Sequence, residues 1–347
     1  MDIREIAKRA KVSIATVSRT VNRVPSVDPQ LAKRVWRVID DLGYYPNTQA
    51  RALVSGRSST FGLIVSEVIN PFFPEIIQAF EDIAVENKYE ILITSTVHDP
   101  KRMELSVRRM IERRVDGVAV MTFGMEESLL ETLKFRNVPL VFVDVGPALP
   151  RISNIRIDYL YGIRQAVQHF AALRHERIAF ITGPRGLRSA TARQEAFVQA
   201  MEEIGLTPLP ELIIEGDHTI EGGMNAMTAL LAMPKRATAA LCSNDMTAIG
   251  VMRKGYELGI EIPRDLSLIG FDDIRLAQFV IPPLTTVQMS QTRLARLAFE
   301  ALLADVQRDI PAPHGSEYGL QTSLVLREST ALLPKSPLAA PKRPKAK

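Results

Sequence analysis

Apolar positions in the first 22 residues recur at helical spacing in two short blocks. Ile3, Ile6, Ala7 and Ala10 mark one stripe, and Val12, Val17 and Val21 mark a second after a three-residue turn. Ser13, Ile14, Ala15, Thr16, Ser18, Arg19 and Asn22 fall largely outside the second stripe. Two short helices packed at an angle, the second with a polar face free, form a helix-turn-helix and predict a DNA partner. A third helix follows in the pattern. Asp28 is placed to cap it, Pro29 suits its first turn, Leu31, Val35, Ile39 and Leu42 recur, and Gly43 ends it. Trp36, the only tryptophan, reads as a cover for this small core.

From Phe61 onward the period changes. Apolar runs (FGLIVSE, EILITST, DGVAVMT, PLVFVDV) alternate with amphipathic stretches near 72–87, 101–113 and 126–136. RIAFIT, PELIIEG, AALCS and LSLIG continue the alternation with helices of comparable length. Strand and helix in strict alternation predict parallel sheets covered on both faces. A segment around Ser153 to Asp158 divides a first set of four strands from a second, so two sheets are expected rather than one. The chain is expected to cross back near 284–292, send helix 291–306 to the first lobe and close with a strand near 319–327. Ligands of open parallel sheets lie at the carboxyl ends of the strands, which in two facing lobes line one cleft.

The ordered series MDIREIAKRAKVSIATVSRTVN, LGYYPNTQARAL, NPFF, GFDD and IPPLTTV resembles the lactose/galactose repressor (LacI/GalR) family of bacterial transcription regulators, from the start to about residue 330. The resemblance implies an α/β chain: a three-helix head and a hinge helix, then a two-lobed body like a periplasmic binding protein with two parallel sheets. The expected boundaries are 1–46 for the head, 47–60 for the hinge and linker, and 61–333 for the body. Lobe one takes about 61–153 plus 291–318, and lobe two about 158–284 plus 319–333. One departure stands in the first turn, where Lys11 occupies a place usually held by glycine and must adopt a left-handed backbone at about 1 kcal/mol.

The resemblance also assigns residues. Arg193, Asn244 and Asp272 match positions that hold a small effector, Asp144 is a candidate of the same type, and Phe72 and Phe73 match aromatic cleft residues. His218 stands where many relatives carry a stacking aromatic ring. Each has a structural alternative: Asp272 and Asn244 as helix caps, Arg193 paired with Glu195 or Glu202, His218 exposed at a helix start. The implied effector is a sugar or sugar derivative, with nucleosides as the alternative.

In the head, the second helix is expected in the major groove, with Arg19 reaching guanine O6 and N7. Ile14 and Ala15 offer only methyl contacts, while Ser13, Thr16, Asn22 and Tyr44 suit phosphates. Ser18, Asn47 and Ala50 complete the expected DNA face. Asn47 to Ser55 matches a hinge helix that folds when two copies meet on DNA, with Leu53 wedged into the central base step. Paired hinges predict a homodimer on double-stranded, pseudo-palindromic operator DNA.

Composition narrows the alternatives. Residues 1–60 carry +6 and residues 334–347 carry +5, which leaves −7 on the other 273, so phosphate attraction belongs to the head and the tail. The tail, rich in lysine and proline, predicts disorder, and it lacks the leucine heptad that the family's tetramers use. No run of about 18 apolar residues predicts a membrane span, and no secretory signal is expected, which points to the cytoplasm. Cys242, the single cysteine, excludes an internal disulfide and reads as a small buried hydrophobe. His98, His169, His175, His218 and His314 lack metal-ligand spacing, GPRG lacks the rest of a phosphate loop, and no nucleophile motif is present. Neither an enzyme nor a cofactor is expected.

Overall fold

The computed structural model describes residues 3–21, 24–44, 57–122, 129, 131–133, 136, 138–144, 152–308 and 315–333. Asn22, Asn47, Ala50 and Leu53, with the rest of the expected hinge and the tail 334–347, lie outside the described residues.

The chain divides into two compact units. In the first, α1 (Ile3–Ala10), α2 (Ile14–Val21) and α3 (Pro29–Leu42) close on Ile6, Ala7, Ala10, Val17, Val21, Val35 and Ile39. Trp36 and Tyr44 pack against this cluster. Local chemistry sets each boundary. Lys11 turns the chain at φ 51°, the left-handed conformation expected of it. Ser13 Oγ accepts from Thr16 N at 3.0 Å and starts α2. Asp28 accepts from Gln30 N and Leu31 N, Pro29 opens α3, and Gly43 ends it at φ 56°.

The second unit holds two six-stranded sheets. The first is built from β1 (Thr60–Val65), β2 (Glu90–Ser95), β3 (Gly117–Met121), β4 (Leu140–Val143), β5 (Ile152–Asp158) and β11 (Glu317–Gln321). Their order is β11-β5-β4-β3-β1-β2, every pair parallel. The second sheet holds β6 (Ile178–Ile181), β7 (Ile213–Ile214), β8 (Ala239–Cys242), β9 (Ser267–Asp272), β10 (Thr285–Gln288) and β12 (Ser323–Val325). Its order is β12-β10-β9-β8-β6-β7, with only the β10–β12 pair antiparallel. Central strands such as β3, β8 and β9 are buried along their whole length because helices cover both faces. Those helices include α4 (Phe72–Glu86), α5 (Pro100–Glu112), α6 (Tyr159–Ala172), α7 (Arg188–Glu203), α8 (Ile220–Ala232), α9 (Asp245–Glu257) and α10 (Gln291–Gln307).

The expected crossing points need correction. Ser153 to Asp158 is not a connection but most of β5, a strand of the first sheet, so that sheet takes five strands before the chain leaves it. Ser153, Asn154, Arg156 and Asp158 disguise it. Ser153 and Asn154 are buried yet bonded, Ser153 Oγ accepting from Ser316 N and Asn154 N donating to Ser316 O. Residues 285–288 likewise form β10 in the second sheet, and β11 runs past 318 to Gln321 in the first.

The chain therefore crosses between sheets three times, after Asp158, after Gln288 and at Thr322. One residue binds the crossings together. Fully buried Thr322 donates to Asp158 O at 2.6 Å and accepts from Gly162 N at 3.0 Å. A Cβ at Gly162 would stand 2.5 Å from Val287 and 2.6 Å from Thr322 Oγ1, which is why this turn of α6 carries glycine.

Candidate functional site

The carboxyl ends of the strands open onto a cavity of about 210 Å³. It gathers Phe72, Phe73, Arg193, His218, Asn244 and Asp272, six of the seven residues expected there. Asp144 does not join them. It lies at the end of β4 at φ 54° and lines a neighbouring cavity of about 270 Å³. Its carboxylate accepts from Ile157 N at 2.9 Å and from Tyr159 OH at 2.8 Å, so both oxygens already have partners.

Arg193, on the second turn of α7, is 4% exposed and is held on several sides. Its guanidinium carbon sits 4.0 Å from the Phe271 ring centre and 5.4 Å from that of Tyr159, Nη1 donates to Ser243 O, and Nη2 lies 3.2 Å from Asp272 Oδ1. The pairing with Glu195 or Glu202 does not form. Arg193 Nε and Asp272 Oδ1 are buried with no hydrogen-bond partner; the ion pair is close but misaligned for a hydrogen bond. Burial pushes the Asp272 carboxyl up to about 6 against the pull of Arg193. Asp272 adopts φ 108°, a strained conformation that turns its side chain away from that of Asp273. Asp273 instead binds Arg327 at 2.7 Å and Gln288 at 2.7 Å.

Asn244 both caps and braces. Oδ1 accepts from Thr247 N at 2.9 Å, the capping role open from the sequence, while Nδ2 donates to His218 O at 3.0 Å. His218 is not exposed. Its Nε2 lies 2.9 Å from Ser243 Oγ, and a Cβ on Gly183 would fall 2.1 Å from that nitrogen, so the ring packs flush on the glycine after β6. Burial first, then Arg193, lowers its pKa to about 3. The imidazole is a neutral wall of the cavity. At the opposite wall Phe72 and Phe73 meet edge to face at 5.5 Å, with Phe72 N held by Asn70 Oδ1 at 3.1 Å.

The His218 shift carries a sign. The unfolded imidazole takes a proton near 6.5 and the folded one only near 3, so stability is lost as pH falls below 6.5. Asp272, raised by burial, acts in the opposite direction below about pH 6, and Asp245, which burial raises well above the usual carboxylate range, acts in that direction too. His218→Gln keeps both carboxyls, so its comparison with wild type isolates the histidine. Between pH 7 and pH 5 wild type is expected to lose about 2 kcal/mol relative to the variant in urea unfolding.

Several residues escaped the sequence reading. Ser66, His98 and Ser189 line the cavity, and Ser66 Oγ and Ser189 Oγ are buried without partners. Ser189 was within reach, since it lies four residues before Arg193 on the same helix face. Glu75 joins the two lobes: its Oε1 accepts from Arg275 N, just beyond β9, at 2.8 Å. No spacing in the sequence signals that contact, which spans 200 residues. Among the described residues, no group of three His, Cys, Asp or Glu could hold a metal ion, and no helix is long and apolar enough to cross a membrane.

In the head, Ile14, Ala15 and Arg19 lie exposed on one side of α2, while Thr16 is half-buried. Ser13 and Thr16 are engaged with each other through the helix start, at 2.9 Å between hydroxyls.

A helix-turn-helix joined to a two-lobed body with a cavity at its strand ends defines a ligand-responsive DNA-binding regulator. Residues 2–47 match the model of bacterial regulatory proteins of the lacI family, and residues 167–330 that of the periplasmic binding protein-like domain. The chain is 35% identical to the HTH-type transcriptional repressor PurR of Glaesserella parasuis serovar 5 (strain SH0165), over 90% of this chain and 92% of that protein. It superimposes on the Lac repressor dimer bound to operator and the anti-inducer ONPF with a TM-score of 0.84 at 27% identity, covering 95% of this chain and 99% of that one. A LacI family regulator of Enterococcus faecium with bound ribose gives 0.71 at 27% identity, over 79% of this chain and 100% of that one. The chain belongs to the LacI family, and it is a ligand-responsive transcriptional repressor.

Proposed function

We propose that the cavity binds a sugar or sugar derivative between Arg193 and Asp272, and that this binding sets the affinity of the head for an operator. The observation that carries the assignment is the pair of buried atoms left without a hydrogen bond, Arg193 Nε and Asp272 Oδ1. A hydroxyl both accepts and donates, so adjacent hydroxyls of one ring satisfy the guanidinium and the carboxylate together. Phe72 and Phe73 offer the apolar wall that a sugar's less polar face requires. The Enterococcus faecium regulator with bound ribose supports the same class.

On DNA, α2 reads the major groove through Arg19, with Ile14 and Ala15 against methyl groups and Ser18 at the backbone. Residues 47–60 serve as hinge and linker, with Leu53 as the minor-groove wedge and Asn47 and Ala50 beside it. Two chains act on a pseudo-palindrome as a homodimer, as in the Lac repressor dimer bound to operator. The protein works in the cytoplasm and is a regulator without catalysis, in line with repressor relatives.

Thermal denaturation of the full-length chain against ribose, other sugars and nucleosides tests the effector class. A ligand at 100 times its Kd adds about 2.7 kcal/mol. Sugars are expected to raise the Tm of wild type and leave Arg193→Ala unmoved. A rise confined to nucleosides would overturn the sugar assignment.

A further inference from the structure

The neighbouring cavity of about 270 Å³ is chemically unlike the first. Arg156 of β5 and Arg188, the first residue of α7, line it together with Asp144, Asn154, Tyr159 and Ser189. Among the described residues Asp144 is its one carboxylate, and that group is occupied by Ile157 N and Tyr159 OH. The basic side therefore prevails. Ser189 Oγ is buried without a partner, and the residue lines both cavities. No side chain caps the start of α7, so the positive end of a 16-residue helix meets this space. Arg156 lies loosely paired, 3.9 Å from Glu317.

We propose that this second cavity is an anion subsite, in which Arg188, Arg156, Ser189 and the first turn of α7 receive a phosphate group. The proposal rests on the sugar site beside it and refines the effector to a phosphorylated sugar, its ring between Arg193 and Asp272 and its phosphate past Ser189. Arg188, Ser189, Ala192 and Arg193 fall on one face of α7, so a single helix addresses both ends of such a ligand. A planar guanidinium fork suits phosphate better than a neutral hydroxyl. Free phosphate could use the same groups, so the experiment separates the two sources.

Calorimetry on the full-length chain at fixed ionic strength takes inorganic phosphate, ribose and ribose 5-phosphate as probes. The proposal expects saturable phosphate binding that weakens at least fivefold in Arg188→Ala and is unchanged in Arg185→Ala, whose exposed side chain pairs with Glu215 outside both cavities. Ribose 5-phosphate binding tighter than both ribose and phosphate assigns the group to one ligand; equal affinity for ribose 5-phosphate and phosphate means that a separate anion fills the subsite, and overturns the refinement. Phosphate that does not saturate, or that binds Arg188→Ala as well as wild type, overturns the subsite itself. Failure here stays distinct from failure of the sugar site, because ribose binding that is lost in Arg193→Ala and kept in Arg188→Ala reports on that site alone.

Discussion

Arg193→Ala is expected to weaken effector binding at least a hundredfold and to destabilise the body by about 3 kcal/mol. The two effects have different origins. Binding falls because the guanidinium supplies the fork that grips the ligand, and among the described residues no other arginine or lysine lines the cavity. Stability falls because Asp272, 4% exposed, loses the charge that compensates its burial. Asp272 limits that second loss by taking up a proton, for which its carboxyl is already poised at about 6. Removing the stranded charge should separate the effects: Arg193→Ala with Asp272→Asn regains much of the stability and none of the binding. Calorimetry reads the first quantity and urea unfolding the second. Arg193→Ala that bound the effector as wild type does would remove the arginine from the site.

Ile6→Ala is expected to abolish specific operator binding while leaving effector binding intact. Ile6 is fully buried in the core of the head, and a truncation of this kind costs about 2 to 5 kcal/mol. So small a domain has little stability in reserve. The body has its own core and does not depend on Ile6. Fluorescence anisotropy should therefore show only salt-sensitive, nonspecific attraction to DNA, whereas calorimetry of the effector is unchanged. Arg19→Ala provides the contrast. Arg19 is exposed, so the head stays folded and discrimination falls by about 1 to 3 kcal/mol at one base position.

Local signals carried much of the fold. Asp28, Pro29 and Gly43 announced α3 because capping and left-handed turns depend on a few adjacent atoms. Strands β6, β8 and β9 of the second sheet stood out as apolar runs because both of their faces are covered. β5 was misread because the buried Ser153 and Asn154 find their partner, Ser316, on a segment over 150 residues away. The crossing at Thr322 depends on two chain segments that meet only after folding.

The site was legible as residue types and less so as contacts. Arg193 and Asp272 followed from motif position, but their ion pair, and the Phe271 and Tyr159 rings that flank the arginine, arise from separate elements. Asp144 sat at a strand end like the others, yet its left-handed backbone and the Tyr159 hydroxyl turn it to the neighbouring cavity. His218 was open between wall and surface. The absence of a side chain at Gly183 decided it.

The central claim is that a molecule held at Arg193 governs which DNA the head holds. Selection from a random duplex pool by the full-length chain, followed by anisotropy on the enriched duplex with and without the effector, tests it most directly. The account predicts a pseudo-palindrome whose affinity the effector shifts by about 5- to 150-fold, and no shift in Arg193→Ala. An unenriched pool, or an effector that occupies the cavity and leaves operator affinity unchanged, would contradict it.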